Sequence, residues 1–281
     1  MKAFTFLAKR FVAGEDPDDA VAAGVALKAR GIDATFDLLG EDVDDRAAAL
    51  RIAEANKALL QLIPDGVERN VSIKLTTIGL DISDDLCLEQ AAGVLDVAKK
   101  VGGFVRIDME GSKHTQRTLD AFQTLRKTYD NVGIVLQAYL HRTEDDVKEA
   151  IRRGDRVRLC KGAYKEPPEV AIQKMDGIRA NYARCVRLLL DGGNYPAVAT
   201  HDEKVIQDVL GYVDAQRIPR NRYEFQMLYG LRPGRWDELV RAGHNVRIYV
   251  PYGTHWFPYF TRRLRERKEN VFFVLKSLVG G

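Results

Sequence analysis

The chain has 281 residues, 46% of them hydrophobic, with 43 basic against 40 acidic side chains and a net charge of +3. That length suits one barrel-sized domain, and so small a basic excess gives no phosphate-tracking surface, so nucleic acid is not expected as a partner. Three cysteines, Cys87, Cys160 and Cys185, with no C-x-x-C pair, argue against a disulfide framework and for a reducing, cytoplasmic compartment.

In chain order, residues 1–30 read as a helical N-terminal extension. Lys2, Lys9 and Arg10 surround Phe4, Phe6 and Leu7 in an amphipathic pattern too short and too broken for a signal peptide or a membrane span. Such a segment docks on the core, the commoner outcome, or touches a membrane surface. Asp16-Pro17 with Asp18 and Asp19 marks a helix start and Gly31 a stop. Ala34–Leu39 is a first strand closed by Gly40, and Asp42–Ile63 a helix ended by Pro64. Seven more strands follow at Val71–Leu75, Phe104–Met109, Val132–Tyr139, Arg156–Cys160, Pro196–Thr200, Arg222–Tyr229 and Val246–Val250. The helices between them are Asp84–Val101, His114–Tyr129, a short one from Thr143 closed by Gly154, a run through Leu190, Asp202–Val213 and Trp236–Ala242. His255–Arg267 is a last large helix, with a short tail helix near Val271–Leu278.

One helix-patterned segment thus separates each strand from the next, as parallel pairing requires. Eight such units predict an α/β fold of the closed (βα)8 barrel type, one domain over residues 1–281, with a doubly wound open sheet as the alternative. No linker, low-complexity run or domain break interrupts the pattern.

In such a barrel the chemistry sits at the C-terminal ends of the strands. Those ends carry Lys74, Asp108, Gln137, Arg158 with Lys161, Thr200 with His201, Glu224 with Gln226, and Tyr249. Any one of them can be a satisfied core polar group, but a purely structural barrel places branched apolar residues at most of these positions. Arg158 lies within an apolar run, where a charge is costly without a partner or ligand. Lys161-Gly162-Ala163-Tyr164 behind it offers backbone N–H groups, an ammonium and a ring. On the last helix, the adjacent Arg262 and Arg263 are either a solvated face or a bidentate grip on a carboxylate.

The five histidines form no H-x-H or H-E-x-x-H pair, so no metal site is expected. G-x-S-x-G, the P-loop and G-x-G-x-x-G are absent as well. A glycosidase-type carboxylate pair of Asp108 and Glu224, or Schiff-base chemistry at Lys74 or Lys161, stays open on composition. The excess of bases favours an anionic ligand.

Eight ordered stretches carry a resemblance. They are Val71-Ser-Ile-Lys-Leu-Thr76, Arg106-Ile-Asp-Met-Glu110, Val135-Leu-Gln-Ala-Tyr139, Arg158-Leu-Cys-Lys-Gly-Ala-Tyr164, Ala199-Thr-His-Asp202, Tyr223-Glu-Phe-Gln-Met-Leu-Tyr-Gly230, Tyr249-Val-Pro-Tyr-Gly253 and Tyr259-Phe-Thr-Arg-Arg-Leu264. The set resembles the proline dehydrogenase family, in its monofunctional bacterial type, and Lys165-Glu166-Pro167 fits that type. The resemblance implies a distorted (βα)8 barrel, with N-terminal helices and the final helix over its mouth, that binds FAD. It implies oxidation of L-proline to Δ1-pyrroline-5-carboxylate, the first step of proline catabolism, with electrons passed to a membrane quinone and a peripheral contact with the inner membrane's cytoplasmic face.

By the family pattern, Arg158 approaches flavin N5 and Gln137 the isoalloxazine edge. Lys161, Gly162 and Ala163 line the cofactor near its ribityl chain, Thr200 and His201 lie along the phosphates and adenosine, and Glu224 and Gln226 sit nearby. Lys74, Arg262 and Arg263 hold the proline carboxylate, Tyr164 and Tyr249 pack on its ring, Leu228 shapes the pocket, and Asp108 orients the set. Arg158, Asp108 and Tyr249 are the implied catalytic group. A tyrosine at 249 favours proline over hydroxylated analogues.

Overall fold

A computed structural model describes residues 10–40 and 43–257. It opens with helix α1 (Pro17–Lys28) and then alternates strand and helix. The strands are β1 (Asp33–Leu38), β2 (Asn70–Ile73), β3 (Phe104–Ile107), β4 (Val132–Gln137), β5 (Arg156–Cys160), β6 (Ala197–Ala199), β7 (Glu224–Leu228) and β8 (Asn245–Tyr252). The helices between them are α2 (Arg46–Leu62), α3 (Asp84–Lys100), α4 (Ser112–Arg126), α5 (Thr143–Arg153), α6 (Met175–Gly192), α7 (Glu203–Ala215) and α8 (Pro233–Arg241). Each strand pairs in parallel with the next, and β1 pairs with β8 in register from Asp33↔Arg247 to Leu38↔Tyr252. The sheet is therefore a closed barrel, and the open-sheet alternative falls.

Short polar side chains start the helices, close to the expected place for α3 and α7 and later than expected for α2, whose first residue is Arg46. The Asp45 carboxylate accepts from the backbone N–H groups of Ala47 and Ala48, Ser83 Oγ from Leu86, and Asp202 from Lys204. The chain before Pro17 departs from expectation. Residues 10–16 form no helix but cross the end of β8, where Ala13 N–H donates to Pro251 O and Gly253 N–H to Gly14 O, both at 2.9 Å. Phe11 and Val12 pack there with Leu39 and Leu231 in a small separate apolar cluster. The expected helices His255–Arg267 and Val271–Leu278 fall mostly or wholly outside the described residues.

Alternation along the strands divides the barrel into two environments. Phe36, Val71, Ile73, Val105, Ile107, Ile134, Val157, Leu159, Phe225, Ile248 and Val250 belong to one apolar core between strands and helices; a Cβ on Gly24 of α1 would strike the Phe36 ring. The other face of the same strands is polar. Thr35, Asp37, Ser72, Arg106, Arg158, Glu224, Gln226 and Arg247 are all buried, and hydrogen bonds among them cross the barrel axis.

Candidate active site

At the C-terminal ends of the strands the barrel opens into a cavity of about 470 Å³, in the size range of ligand and cofactor sites. Lys74, Asp108, Gln137, Arg158, Lys161, Gly162, Ala163, Tyr164, Thr200, His201, Gln226, Leu228 and Tyr249 all line it. Apolar side chains such as Leu39, Met109, Val135 and Ile178 complete the wall. Arg262 and Arg263 lie outside the described residues.

Glu224 does not line the cavity. It is the first residue of β7, two positions below Gln226 on the inward face, and the assignment to a strand end is corrected accordingly. Its carboxylate accepts from Arg247 Nε at 3.0 and 3.1 Å. Burial opposes its charge, but the Arg247 guanidinium prevails and holds its pKa below the usual range. A glycosidase-type pair with Asp108 is excluded, because only one of the two carboxylates reaches the cavity.

Arg158 is the floor of the site. Nε donates to Gln226 Oε1 at 2.5 Å, Nη1 to Asp108 Oδ1 at 2.7 Å and Nη2 to Ser72 Oγ at 3.1 Å. The acidic partner that a charge in this strand requires is therefore Asp108. The other oxygen of Asp108 accepts from the Tyr249 hydroxyl at 2.7 Å, and the Tyr249 ring lies 5.3 Å from the Arg158 guanidinium carbon. Burial, with Asp108 and Asp37 beside it, raises the Tyr249 phenol far above its ordinary pKa, so the ring stays neutral.

Lys74 follows β2 and donates to Asp37 Oδ1 at 2.7 Å. Burial pushes its ammonium toward neutrality, yet Asp37 and Asp108 together raise its pKa. An amine held in its charged form by an ion pair is a poor nucleophile, so the Asp37 contact disfavours Lys74 as a Schiff-base residue. Asp37 is the site residue missed on the sequence. Burial raises the pKa of its carboxyl against the pull of Lys74, and its Oδ2 has no hydrogen-bond partner among the described residues. The available signal was an aspartate near the C-terminal end of the first strand, two positions after Thr35 and so on the same inward face.

The far wall is built by the loops after β5 and β6. Lys161 Nζ and Arg179 Nε both bind Asp202 Oδ2, at 3.0 and 2.8 Å, and Asp202 N–H donates to Thr200 Oγ1. His201 Nε2 accepts from Leu228 N–H at 2.8 Å, which places the ring proton on Nδ1. Gln137 Nε2 donates to Glu110 O at 2.9 Å. Gly162 has φ of +113°, and a Cβ there would overlap the Tyr139 ring, so the chain turns past that ring with its backbone bare. A cavity with apolar walls, a bare glycine turn, a buried guanidinium and a cationic rim suits a planar heteroaromatic group carrying phosphates.

Comparison with known proteins gives one family. The sequence model of the family described as proline dehydrogenase matches residues 20–276. Proline dehydrogenase 1 of Bacillus subtilis subsp. natto is 42% identical over 273 residues, covering 97% of this chain and 90% of the relative. Proline dehydrogenase of Deinococcus radiodurans is 40% identical over 281 residues, covering 98% and 91%. Among solved structures, proline utilization A of Bdellovibrio bacteriovorus superposes with a TM-score of 0.85 at 29% identity over 92% of this chain. This chain spans 32% of that longer protein.

Proposed function

The chain belongs to the proline dehydrogenase family and is an enzyme of proline oxidation; from that premise we propose that it binds FAD and converts L-proline to Δ1-pyrroline-5-carboxylate. FAD, when bound, supplies the hydride acceptor for C5 of proline and the route for electrons onward to a quinone.

The observation that carries this reading is Arg158, a buried guanidinium held from three sides at the floor of the cavity. A fixed cation in a water-poor site stabilises negative charge that develops beside it, and needs no reorganisation to do so. Gln137 stands over the same wall, and Lys161, Gly162, Ala163, Thr200 and His201 form the rim that would hold the ribityl chain, phosphates and adenosine. Gln226 contributes through Arg158.

On the substrate side, Lys74 offers an ammonium to the proline carboxylate, held toward the cavity by Asp37. Arg262 and Arg263 are proposed as its further partners. Tyr249, Tyr164 and Leu228 form the apolar seat for the pyrrolidine ring. Asp108 orients both Arg158 and Tyr249 by accepting from each. Such positioning contributes to rate by holding the reacting atoms close and aligned. A tyrosine at 249 fills the space that a ring hydroxyl would need.

Electron transfer to a membrane quinone calls for a transient surface contact. No helix among the described residues is long and apolar enough to cross a bilayer, so a peripheral contact at the cytoplasmic face is the form proposed. Purified protein is expected to be yellow, with its flavin absorbance bleached by L-proline under anaerobic conditions. A colourless protein that cannot be reconstituted with FAD defeats the proposal.

A further inference from the structure

We propose that Glu224 is a positioning residue for Arg158, acting through the side-chain amide of Gln226. The inference rests on the reading of Arg158 as the cation beside the flavin. It explains why a carboxylate is buried below the cavity without touching it.

The connection is continuous across the barrel. Arg247 Nη2 binds Glu68 Oε2 at 2.7 Å, and Arg247 Nε binds both oxygens of Glu224. Gln226 Nε2 donates to Glu224 Oε1. Gln226 Oε1 in turn accepts from Arg158 Nε at 2.5 Å, and Arg158 continues to Asp108 and Tyr249.

An amide has one donating end and one accepting end. A carboxylate at 224 can only accept, so it holds the NH2 of Gln226 and turns the carbonyl toward Arg158. The reversed amide would set an NH2 against a guanidinium and an oxygen against a carboxylate. Glu224 thereby fixes which end of Gln226 the guanidinium meets, and with it the direction of Arg158 Nε. Glu224 and Arg158 lie on different strands, β7 and β5, with the three-residue β6 between them, and the side-chain amide of Gln226 connects the two. Arg247 is held independently by Glu68 and by Ala34 O.

Gln226 Nε2 and Arg247 Nε share Glu224 Oε1, and a glutamine carbonyl can serve both, so the discriminating variant is Glu224→Met. It removes the acceptor that holds the Gln226 NH2, while Arg247 keeps Glu68 and Ala34 O. Losing one buried negative charge would by itself raise the flavin midpoint potential, whereas losing the hold on Arg158 lowers it. The expected result is a lower midpoint potential in spectroelectrochemistry, at unchanged FAD content. An unchanged or raised potential overturns the proposal.

The crystal structure of the same variant gives a readout that needs no flavin. Arg158 is expected to leave Gln226 while keeping Asp108, and an unmoved guanidinium overturns the proposal whether or not FAD binds. Should Glu224→Met fail to fold, Gln226→Met cuts the chain one link further on and leaves the Glu224–Arg247 pair intact. The same fall in potential is expected there, and its absence is equally decisive. A wild-type protein that takes up no flavin would defeat the cofactor reading, while the crystallographic result would still decide the relay.

Discussion

At the scale of single residues, the site depends on charges that compensate one another in pairs. Lys74 keeps its proton because Asp37 is 2.7 Å away. Asp37→Asn removes that partner, so burial should let the amine lose its proton at a lower pH. The expected outcome is a KM for proline that climbs with alkaline pH more steeply than in the wild type, with kcat less affected, measured by steady-state kinetics across pH. Arg158 and Asp108 were legible in the sequence because each interrupts an apolar run just where a barrel strand ends. Arg247 interrupts such a run too, yet one of its partners lies far away in sequence: it reaches Glu68, 179 positions away. Glu224 was misplaced at a strand's C-terminal end, since composition does not tell the bottom of a short strand from its top.

At the scale of elements, strand order decides which side chain gets room. Arg106 on β3 lies opposite Gly133 on β4, which lies opposite Arg156 on β5. Arg106 Nη1 passes over that glycine to donate to Ile134 O at 3.2 Å and Arg156 O at 2.5 Å. A methyl group at 133 would collide with Arg106 Nη1 and Arg156 O. Gly133→Ala is expected to cost about 1–3 kcal/mol, as overpacking does in a filled interior, seen as a lower urea midpoint at unchanged slope. The strands and most helices were readable because period-two and period-3.6 patterns are strong in this chain. Residues 10–16 were not, because their backbone is satisfied by β8 and by no local pattern.

At the scale of the whole molecule, closure was read from the count of alternating units, and the β1–β8 register supplies it. One consequence for stability lies on the side of the barrel away from the cavity. The Tyr223 hydroxyl sits 2.9 Å from His244 Nδ1, and burial, with Arg220 nearby, pushes the His244 pKa below its ordinary 6.5. The unfolded chain thus takes up a proton near pH 6.5 that the folded chain refuses until the pH is lower. Stability from this group is full above the unfolded value and is lost as pH falls from there toward the folded one. Denaturant unfolding as a function of pH should show that decline, and His244→Gln should flatten it.

The polar interior also bears on how the barrel is assembled. Buried charges on or just past the strands pair with one another, Asp37 with Lys74, Arg158 with Asp108 and Arg247 with Glu224, while Arg106 is held by backbone carbonyls. A barrel that lacks β1 and the approach to β2 would leave the Arg247 guanidinium without Ala34 O and Glu68, and a buried charge short of its partners costs free energy. An oily barrel core can tolerate partial intermediates; this one penalises them. Closing the ring brings β8 to β1 and completes the hydrogen bonds of Arg247 in the same event, so the electrostatics beneath the site also favour closure.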